Sequence, residues 1–375
     1  MAGGEGVRTP RHDGATTRHG VYRSLARPSW TRVFSIKPAA IGEPVEGTLL
    51  EIDLDAPPTY CALSYMWGQA QHPASITVNS KPATIRRTLH DALMSLRSPD
   101  QPLVLWIDAV SINQDDVEER NQQVKQMFRI YERAEKVFVW LGQPDATHAA
   151  VLRKMESGFD TYGAYQYHLL ERTGVIDAVR WIESNPYFDR AWIKQEVFAA
   201  TALVICLGSL RIPWETFATL CRESTIAQPG RRDRRLKVQG EYGARRRLNT
   251  AYNLISLRDN RAKKRKFEWL VKDYGLAACQ DPRDRIFALL NLCDTKLHAD
   301  YGMSAEKVFI KVMKHSQPPL RSFGRHLHRC LELDSDVDEL LDSLNITDDT
   351  MNDRLQRLDR ESGTDVKQKQ FDAVW

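Results

Sequence analysis

The stretch "RAWIKQEVF" places a single carboxylate among aromatic and apolar residues. Trp192 and Glu196 are four residues apart, so in a helix both lie on one face. A carboxylate beside an indole in an apolar setting can have a raised pKa and can act as a general acid or base. The spacing also fits a structural glutamate paired with Arg190 or another cation, and taken alone it favours this simpler interpretation.

A second set of candidate residues follows two apolar runs. The run "LVLWID", residues 103–108, ends in Asp108, and Asn113 and Gln114 come soon after it. The run "TYCALSYMWG", residues 59–68, ends in a cluster of candidate ligand-binding residues, namely Ser64, Tyr65, Trp67 and Gly68. Ligands bind beyond the carboxyl ends of parallel strands, so these residues are candidates for a substrate site. The alternative is that Asp108, Asn113 and Gln114 only satisfy loop backbone and cap the next helix.

Familiar cofactor and metal motifs are missing from the sequence. It has no GxGxxG, P-loop, HExxH or GxSxG pattern, and its ten histidines are scattered. Asp108, Asp115 and Asp116 are oxygen ligands of the kind Mg²⁺ prefers, but two of them are placed to cap a helix. The sequence therefore predicts neither a metal site nor a bound cofactor.

Composition narrows the class of protein. The chain has 375 residues, 42% hydrophobic and 27% charged, with a net charge of only +4, which does not argue for nucleic acid. Its six cysteines form no C-x-x-C pair, as expected of reduced thiols inside a cell. No apolar run reaches the ~18 residues of a membrane helix, and the N-terminus lacks the apolar core of a signal peptide. We therefore expect no membrane association and a cytoplasmic protein, with the basic run "KKRK" as a candidate for nuclear import.

Strands alternating with helices predict an α/β protein with a mostly parallel sheet. Uninterrupted apolar runs predict buried strands at residues 59–68, 103–107, 137–140 and in "ALVICLG", and we expect the second and third of these to be adjacent and parallel. "GTLLEIDL" predicts an edge strand, and "SITVNSKPATI" a hairpin with Asn79 and Ser80 at its turn. Asp115 is the expected N-cap of the helix that follows Asp108, with Glu118 completing a capping box.

Changes of composition divide the chain into five segments. Residues 1–45 predict a flexible leader, and residues 46–225 hold the alternating strands and helices. Residues 226–266 are basic and predict a mobile linker. Residues 267–315 predict a helical extension, and residues 316–375 a poorly ordered tail.

Three segments together resemble a known family. "YCALSYMWG", "LWIDAVSINQDDVEERNQQVKQMFRIYERAEKVFVWLG" and "FDRAWIKQE" resemble, in wording and order, the core motifs of the fungal heterokaryon incompatibility (HET) domain. We therefore assign residues 46–225 to such a domain. The chain departs from the family pattern at Ser111, where a cysteine is usual, so that thiol cannot be essential here.

The resemblance implies a function in fungal self/non-self recognition and regulated cell death. It also implies a more remote likeness to TIR domains, some of which cleave NAD⁺ with the glutamate of a W-x-x-x-E motif. Trp192 to Glu196 gives that motif at the corresponding element. The implied fold is three-layered and TIR-like or flavodoxin-like. Glu196 would be catalytic, NAD would be the substrate, and the substrate-binding residues would be Ser64, Tyr65, Trp67, Gly68, Asp108 and Trp192.

Two other mechanisms compete with NAD hydrolysis. The first is a non-enzymatic module that associates with itself or with a protein partner through aromatic anchors. The second is a nucleic-acid binder that uses the basic residues 231–266. That segment has few interleaved aromatic residues, so nucleic acid ranks last among the expected partners.

Overall fold

The structure is a computed structural model that describes residues 21–68, 72–156, 173–226, 250–263, 265–316 and 321–346. The chain divides into two compact units, Met1–Lys264 and Arg265–Trp375. None of the helices in these described ranges combines the length and the apolar character needed to cross a membrane.

The described part of the first unit contains one nine-stranded sheet. In chain order the strands are β1 (Trp30–Ile36), β2 (Glu46–Asp53), β3 (Cys61–Tyr65), β4 (Pro73–Val78), β5 (Lys81–Arg86), β6 (Leu103–Trp106), β7 (Val137–Trp140), β8 (Leu203–Leu207) and β9 (Leu210–Pro213). Their order across the sheet is β5-β4-β2-β1-β6-β3-β7-β8-β9. Every residue of β3 is buried, which places this strand at the centre of the core.

Helices cover both faces of the sheet at β3. In chain order they are α1 (Arg87–Leu96), α2 (Asp108–Ser111), α3 (Val117–Arg133), α4 (Ala146–Glu156), α5 (Val175–Glu183), a 3₁₀ turn (Pro186–Asp189), α6 (Ile193–Ala199), α7 (Trp214–Ile226) and α8 (Thr250–Asp259). Leu63 packs in one cluster with Leu89 and Leu93 of α1, whereas its neighbour Ser64 bonds to Glu196 of α6. Since successive strand residues point to opposite faces, the fold is α/β with helices on both sides, as predicted.

The sheet is mixed, so the prediction of a mostly parallel sheet is wrong. Strands β6, β3, β7 and β8 are parallel neighbours, as expected for the core. β4–β5 and β8–β9 are joined by two-residue connections, which permit only antiparallel pairing. The strands at residues 103–107 and 137–140 are parallel but not adjacent, because β3 inserts between them.

Strand β1 contradicts the prediction of a flexible leader to residue 45. It lies between β2 and β6, with Val33, Phe34 and Ile36 fully buried. β2 is consequently an interior strand, not the predicted edge strand. The sequence "WTRVFSI" hides this strand because Arg32 interrupts its apolar run. Arg32 is nonetheless buried, in an ion pair of 2.7 Å with Glu119.

Two local predictions have opposite outcomes. The hairpin of β4 and β5 is confirmed, and Asn79 and Ser80 have φ of 52° and 61°, as a type I′ turn requires. The N-cap prediction is wrong by one residue. Asp116, not Asp115, accepts hydrogen bonds from the backbone N–H groups of residues 118 and 119 at the start of α3.

The second unit is helical where the structure describes it. Its helices are α9 (Phe267–Tyr274), α10 (Asp284–Phe287), a 3₁₀ turn (Leu290–Leu292), α11 (Ala305–His315), α12 (Arg321–Cys330) and α13 (Val337–Ser343). The last two occupy part of the segment predicted to be a poorly ordered tail, and their apolar faces bury Phe323, Leu327 and Leu341. Residues 347–375 lie outside the described ranges.

The predicted basic linker, residues 226–266, also contains ordered structure. Helix α8 occupies its second half and buries Leu254, Ile255 and Leu257. Arg258 of that helix donates to the carbonyl oxygens of Val197 and Ala200, at the end of α6, at 2.7 and 2.6 Å. A buried guanidinium bonded to free helix carbonyls explains why a basic segment packs there. Residues 227–249 of the same segment are not among those described.

Candidate functional site

Three side chains form a buried chain of hydroxyl and carboxyl groups, which we call the buried triad: Tyr187, Ser64 and Glu196. The Ser64 hydroxyl donates to Oε2 of Glu196, and its oxygen lies 2.5 Å from the Tyr187 hydroxyl. No member of the triad is more than 2% exposed. The triad joins the centre of the sheet, at β3, to the helix α6.

The turn before α6 positions Tyr187. Asn185 accepts the backbone N–H of Tyr187 at 3.0 Å, and its amide donates to the Leu141 carbonyl at 3.0 Å. Pro186 begins the 3₁₀ turn, where its missing N–H costs nothing. The turn is thereby fixed to the carboxyl end of β7, and the Tyr187 ring is directed into the core.

The protonation of Glu196 is balanced near neutral pH. Burial raises the pKa of Glu196 to about 7, although the positive charge of Arg190 and the Ser64 hydrogen bond both act to lower it. A carboxyl group with such a pKa is present in both forms at neutral pH. It can therefore accept or donate a proton in a reaction.

Arg190 is the cation with the largest effect on Glu196. Its Nη1 donates to the Tyr65 carbonyl at 2.5 Å. Burial acts to lower the pKa of Arg190, but the carboxylates of Glu196 and Asp108 raise it above its ordinary value. The guanidinium thus stays charged and acts on both carboxylates.

Asp108 lies at the carboxyl end of the neighbouring strand β6, half-buried. Its Oδ2 accepts the indole N–H of Trp67 at 2.7 Å, and its Oδ1 accepts the backbone N–H of Ala109 at 2.6 Å. Burial raises the pKa of Asp108, and Arg190 opposes that rise. Asp108 therefore interacts with Arg190 and also satisfies backbone at the start of α2. The contacts agree both with a site residue and with a structural one.

Lys194 is a buried cation that the sequence analysis did not single out. Its ammonium donates to the carbonyl oxygens of Phe188 and Arg190, at 3.0 and 2.6 Å. Burial lowers the pKa of Lys194 to about 7, with Asp189 opposing. Lys194 holds the 3₁₀ turn against α6 and so fixes the backbone on either side of Asp189.

Comparison with known proteins identifies the region that holds this site. Residues 60–196 match the model of the family described as "Heterokaryon incompatibility protein (HET)". The chain contains a HET domain. The match begins just before β3 and ends at Glu196, so it includes all three members of the buried triad.

One relative of this HET domain is "Heterokaryon incompatibility protein 6, OR allele" of Neurospora crassa. The two chains are 39% identical over 102 residues, a region that is 24% of this chain and 15% of the relative. The alignment thus spans less than a fifth of the relative's length. No solved structure matches the chain.

Gly68 of the HET domain has a structural explanation. Its φ is +70°, and an added Cβ would lie 2.2 Å from the Thr88 hydroxyl oxygen. Its carbonyl accepts a hydrogen bond of 2.6 Å from Arg86, whose guanidinium also lies over the Trp67 ring at 5.2 Å. A glycine is required here by the turn and by Thr88, independently of any ligand.

Ser111, which the sequence analysis noted as a departure from the pattern of the resemblance, is also structural. Its side chain is fully buried, and its hydroxyl oxygen accepts the backbone N–H of Ile107 at 3.1 Å. That contact links the last turn of α2 to the end of β6. The hydroxyl therefore supports the backbone beside Asp108.

Trp192 lies half-buried at the start of α6. Its carbonyl oxygen accepts the backbone N–H groups of Gln195 and Glu196, at 2.9 and 3.2 Å. Trp192 and Glu196 are thus one helical turn apart, as predicted from their spacing. Of the predicted site residues, Tyr65, Asp108 and Glu196 interact with Arg190. Ser64 joins them through Glu196 and Trp67 through Asp108, and Gly68 follows Trp67 in the chain.

The sequence analysis missed two members of the site, Tyr187 and Lys194. Tyr187 belongs to an apolar and aromatic segment that is typical of ordinary core. Lys194 had a sequence signal, because a lysine between Ile193 and Val197 breaks the apolar pattern of a buried helix.

Proposed function

We propose that this HET domain is an effector or signalling module of fungal self/non-self recognition that promotes cell death, acting in the cytoplasm. The family match and the name of the Neurospora relative support this proposal. The family match covers the part of the chain that holds the candidate site.

We infer further that the domain cleaves NAD⁺, with Glu196 as the catalytic residue. The observation that carries this inference is a buried carboxyl group with a pKa of about 7, beside Arg190 and at the carboxyl edge of parallel strands. Perturbed carboxyl groups in such positions are typical of catalytic sites.

The order of the core strands supports a flavodoxin-like or TIR-like placement of the fold. Numbered by their sequence among the parallel strands, β6, β3, β7 and β8 run 2-1-3-4. Flavodoxin-like sheets run 2-1-3-4-5 and bind their ligand beside strand 1. Strand 1 here is β3, which carries Ser64 and Tyr65.

The proposed reaction breaks the bond between nicotinamide and C1′ of the ribose. Nicotinamide leaves with the bonding electron pair, and an oxocarbenium-like centre develops at C1′. The Glu196 carboxylate stabilises that charge and takes the proton of the water that adds to C1′. The substrate would lie against the half-buried residues Trp67, Asp108 and Trp192, with Ser64, Tyr65 and Gly68 beneath it.

The test is direct. Purified protein at high concentration is incubated with NAD⁺, and nicotinamide and ADP-ribose are separated and quantified over time. Equal, time-dependent formation of the two products is the expected result. NAD⁺ that stays intact at every protein concentration would exclude this activity.

A second candidate is a non-enzymatic module that assembles with itself or with a protein partner. The observation that favours it is the burial of the triad, since Glu196 is only 2% exposed. Assembly would then carry the signal, and the triad would serve the fold. Sizing across a concentration range, with killing measured in parallel, tests the need for assembly, and full output from a strictly monomeric form would refute it.

A further inference from the structure

Tyr187 is a buried polar group that the proposed reaction does not use. Its hydroxyl lies 2.5 Å from the Ser64 oxygen, and burial raises the pKa of Tyr187 well above its ordinary value. The phenol therefore keeps its proton at every physiological pH and can donate it in a hydrogen bond.

The hydrogen bonds of the triad have only one consistent direction when Glu196 is ionised. Ser64 has a single hydroxyl proton, which it donates to Oε2 of Glu196. In the short contact between the two hydroxyl groups, Tyr187 must then be the donor and the Ser64 oxygen the acceptor. The chain of donors runs from Tyr187 to Ser64 to Glu196.

Protonation of Glu196 disturbs this chain. With its proton on Oε2, Glu196 donates to Ser64 while Tyr187 still directs its own proton at the same oxygen, so Ser64 accepts twice and its proton loses its acceptor within the triad. With its proton on Oε1, Glu196 offers Ser64 only a neutral carbonyl oxygen, which is a weaker acceptor than a carboxylate. The arrangement thus favours the ionised form and opposes the effect of burial on Glu196.

We propose that Tyr187 is a positioning residue, which orients the Ser64 hydroxyl toward Glu196 and thereby sets the pH at which Glu196 loses its proton. The proposal rests on the proposed function for its kinetic readout, but its thermodynamic readout is independent of any activity. The ionisable groups around Glu196 are Arg190, Asp108 and Lys194, which change its pKa, and the phenols of Tyr187 and Tyr131, whose own pKa values it raises. Removing the Tyr187 hydroxyl leaves the other four in place.

A matched pair of tyrosines makes the test specific. Tyr187→Phe removes the hydroxyl that contacts Ser64. Tyr131→Phe is the control, because its hydroxyl is equally buried and donates to the backbone carbonyl of Leu63, the residue before Ser64, at 3.2 Å. Ser64→Ala removes the link to Glu196 altogether.

The readout is the pH dependence of stability, measured with and without Glu196→Gln in each background. The pKa of Glu196 is raised above its ordinary value of 4.5. Its contribution to stability is therefore complete below that value and is lost as the pH rises through the folded pKa. The pH at which the loss levels off reports the folded pKa of Glu196.

We expect Ser64→Ala to move that pH upward by about one unit, which is about tenfold in the proton affinity of Glu196. Tyr187→Phe should move it upward by less, and Tyr131→Phe should leave it in place. A downward shift is expected when 3-fluorotyrosine, a stronger donor, replaces Tyr187. Should Tyr187→Phe fail to fold, this nearly isosteric replacement decides the question.

The outcomes separate this proposal from the proposed function. If the shifts appear but NAD⁺ is never cleaved, Tyr187 still sets the protonation of Glu196, and only the enzymatic function is lost. If NAD⁺ is cleaved, the acid limb of the pH–rate profile should shift as the stability curve does. Identical curves for Tyr187→Phe and Tyr131→Phe, or no shift with fluorotyrosine, would overturn the proposal.

Discussion

Each of the two units contains an arginine close to carboxylates and a tyrosine, but the arginine bonds directly to a carboxylate in only one of the two clusters. In the second unit, Arg283 binds both carboxylate oxygens of Asp281 at 2.6 and 2.9 Å. It also donates to the carbonyl oxygens of Tyr301 and Met303, at 3.0 and 2.5 Å, and lies over the Tyr301 ring at 5.3 Å. The Tyr301 hydroxyl donates to Asp284. The guanidinium thus donates to one carboxylate and to two backbone carbonyls, and it joins the segment at residues 281–284 to that at residues 301–303.

The site of the first unit leaves its buried carboxylate less well compensated. Glu196 is bonded to a hydroxyl, and Arg190 is bonded to a backbone carbonyl. Burial therefore dominates and raises the pKa of Glu196, whereas the hydrogen bond to Asp281 is what raises the pKa of Arg283. Burying an imperfectly paired charge costs stability, which is expected where a charge serves function. The difference in pairing favours a structural role for the Arg283 cluster and agrees with the catalytic role that we propose for Glu196.

The largest effect is expected for Glu196→Gln. The amide keeps the shape of the side chain and still accepts the Ser64 hydrogen bond, so the fold should persist. Loss of a positioned catalytic carboxylate typically lowers a rate by ~10²-fold or more, and NAD⁺ cleavage and killing should fall accordingly. The measurement is nicotinamide release and thermal unfolding in the same preparation.

The matched control for that experiment is Glu135→Gln, an exposed glutamate at the start of β7. It should keep full activity and stability. Unchanged killing in a stable Glu196→Gln protein would remove this residue from the mechanism and favour the non-enzymatic assembly module.

The next largest effect is expected for Arg283→Met, and it should be on stability. The substitution keeps the apolar stem but removes the guanidinium hydrogen bonds to Asp281 and to the carbonyl oxygens of Tyr301 and Met303, at a cost of roughly 2 kcal/mol. Denaturant unfolding measures this loss. Arg325→Met is the control, because its ion pair with Asp338 is about half exposed on each side, where such pairs contribute little. Equal stability of the two variants would show that the Arg283 cluster is not structural.

The elements that could be predicted are those whose sequence signal lies within a single short stretch of the chain. The core strands β3, β6, β7 and β8 are uninterrupted apolar runs, and the turn of the β4–β5 hairpin is marked by Asn79. Strand β1 was missed because Arg32 makes it look exposed, and its partner Glu119 is 87 residues away. The position of β3 between β6 and β7 was missed for a similar reason, since strand order depends on distant pairings.

The residues of the site likewise divide into those that the sequence indicates and those that only the fold brings together. Ser64, Asp108 and Glu196 could be proposed because each stands at the end of an apolar run or within a recognisable motif. Tyr187 could not, because its meaning depends on Ser64, 123 residues earlier in the chain. Lys194 interrupts an apolar pattern, but its acceptors, the carbonyl oxygens of Phe188 and Arg190, are brought to it only by the folding of the turn at residues 186–189.

A smaller effect is expected in the pH dependence of stability, where Lys194 and Glu196 act in opposite windows. The pKa of Lys194 is lowered from 10.5 to about 7. The contribution of Lys194 to stability is fully present above its pKa in the unfolded chain, 10.5. It is lost as the pH falls through its pKa in the folded protein, about 7. The contribution of Glu196 is lost as the pH rises toward about 7. The combined contribution of the two residues to the free energy of unfolding is therefore smallest near neutral pH.

Urea midpoints between pH 5 and 10 test this pair. Relative to Lys194→Met, the native protein should gain stability above pH 7, and relative to Glu196→Gln it should lose stability between pH 5 and 7. Lys136→Met, at a more exposed lysine, is the control for general charge effects. Parallel curves for the native protein and both variants would show that neither group titrates as its burial requires.

The smallest effect is expected for Asp108→Asn, which tests whether Asp108 belongs to the site or only caps α2. The amide oxygen can still accept from the Trp67 indole or the Ala109 backbone, so stability should change little. The negative charge, however, is one of the causes that raise the pKa of Glu196. Its removal should shift the titration of Glu196 downward, by less than about one pH unit. An unshifted titration with a clear loss of stability would make Asp108 a structural residue of the turn into α2. A structural residue is needed for its hydrogen bonds, whereas a member of the site is needed for its charge.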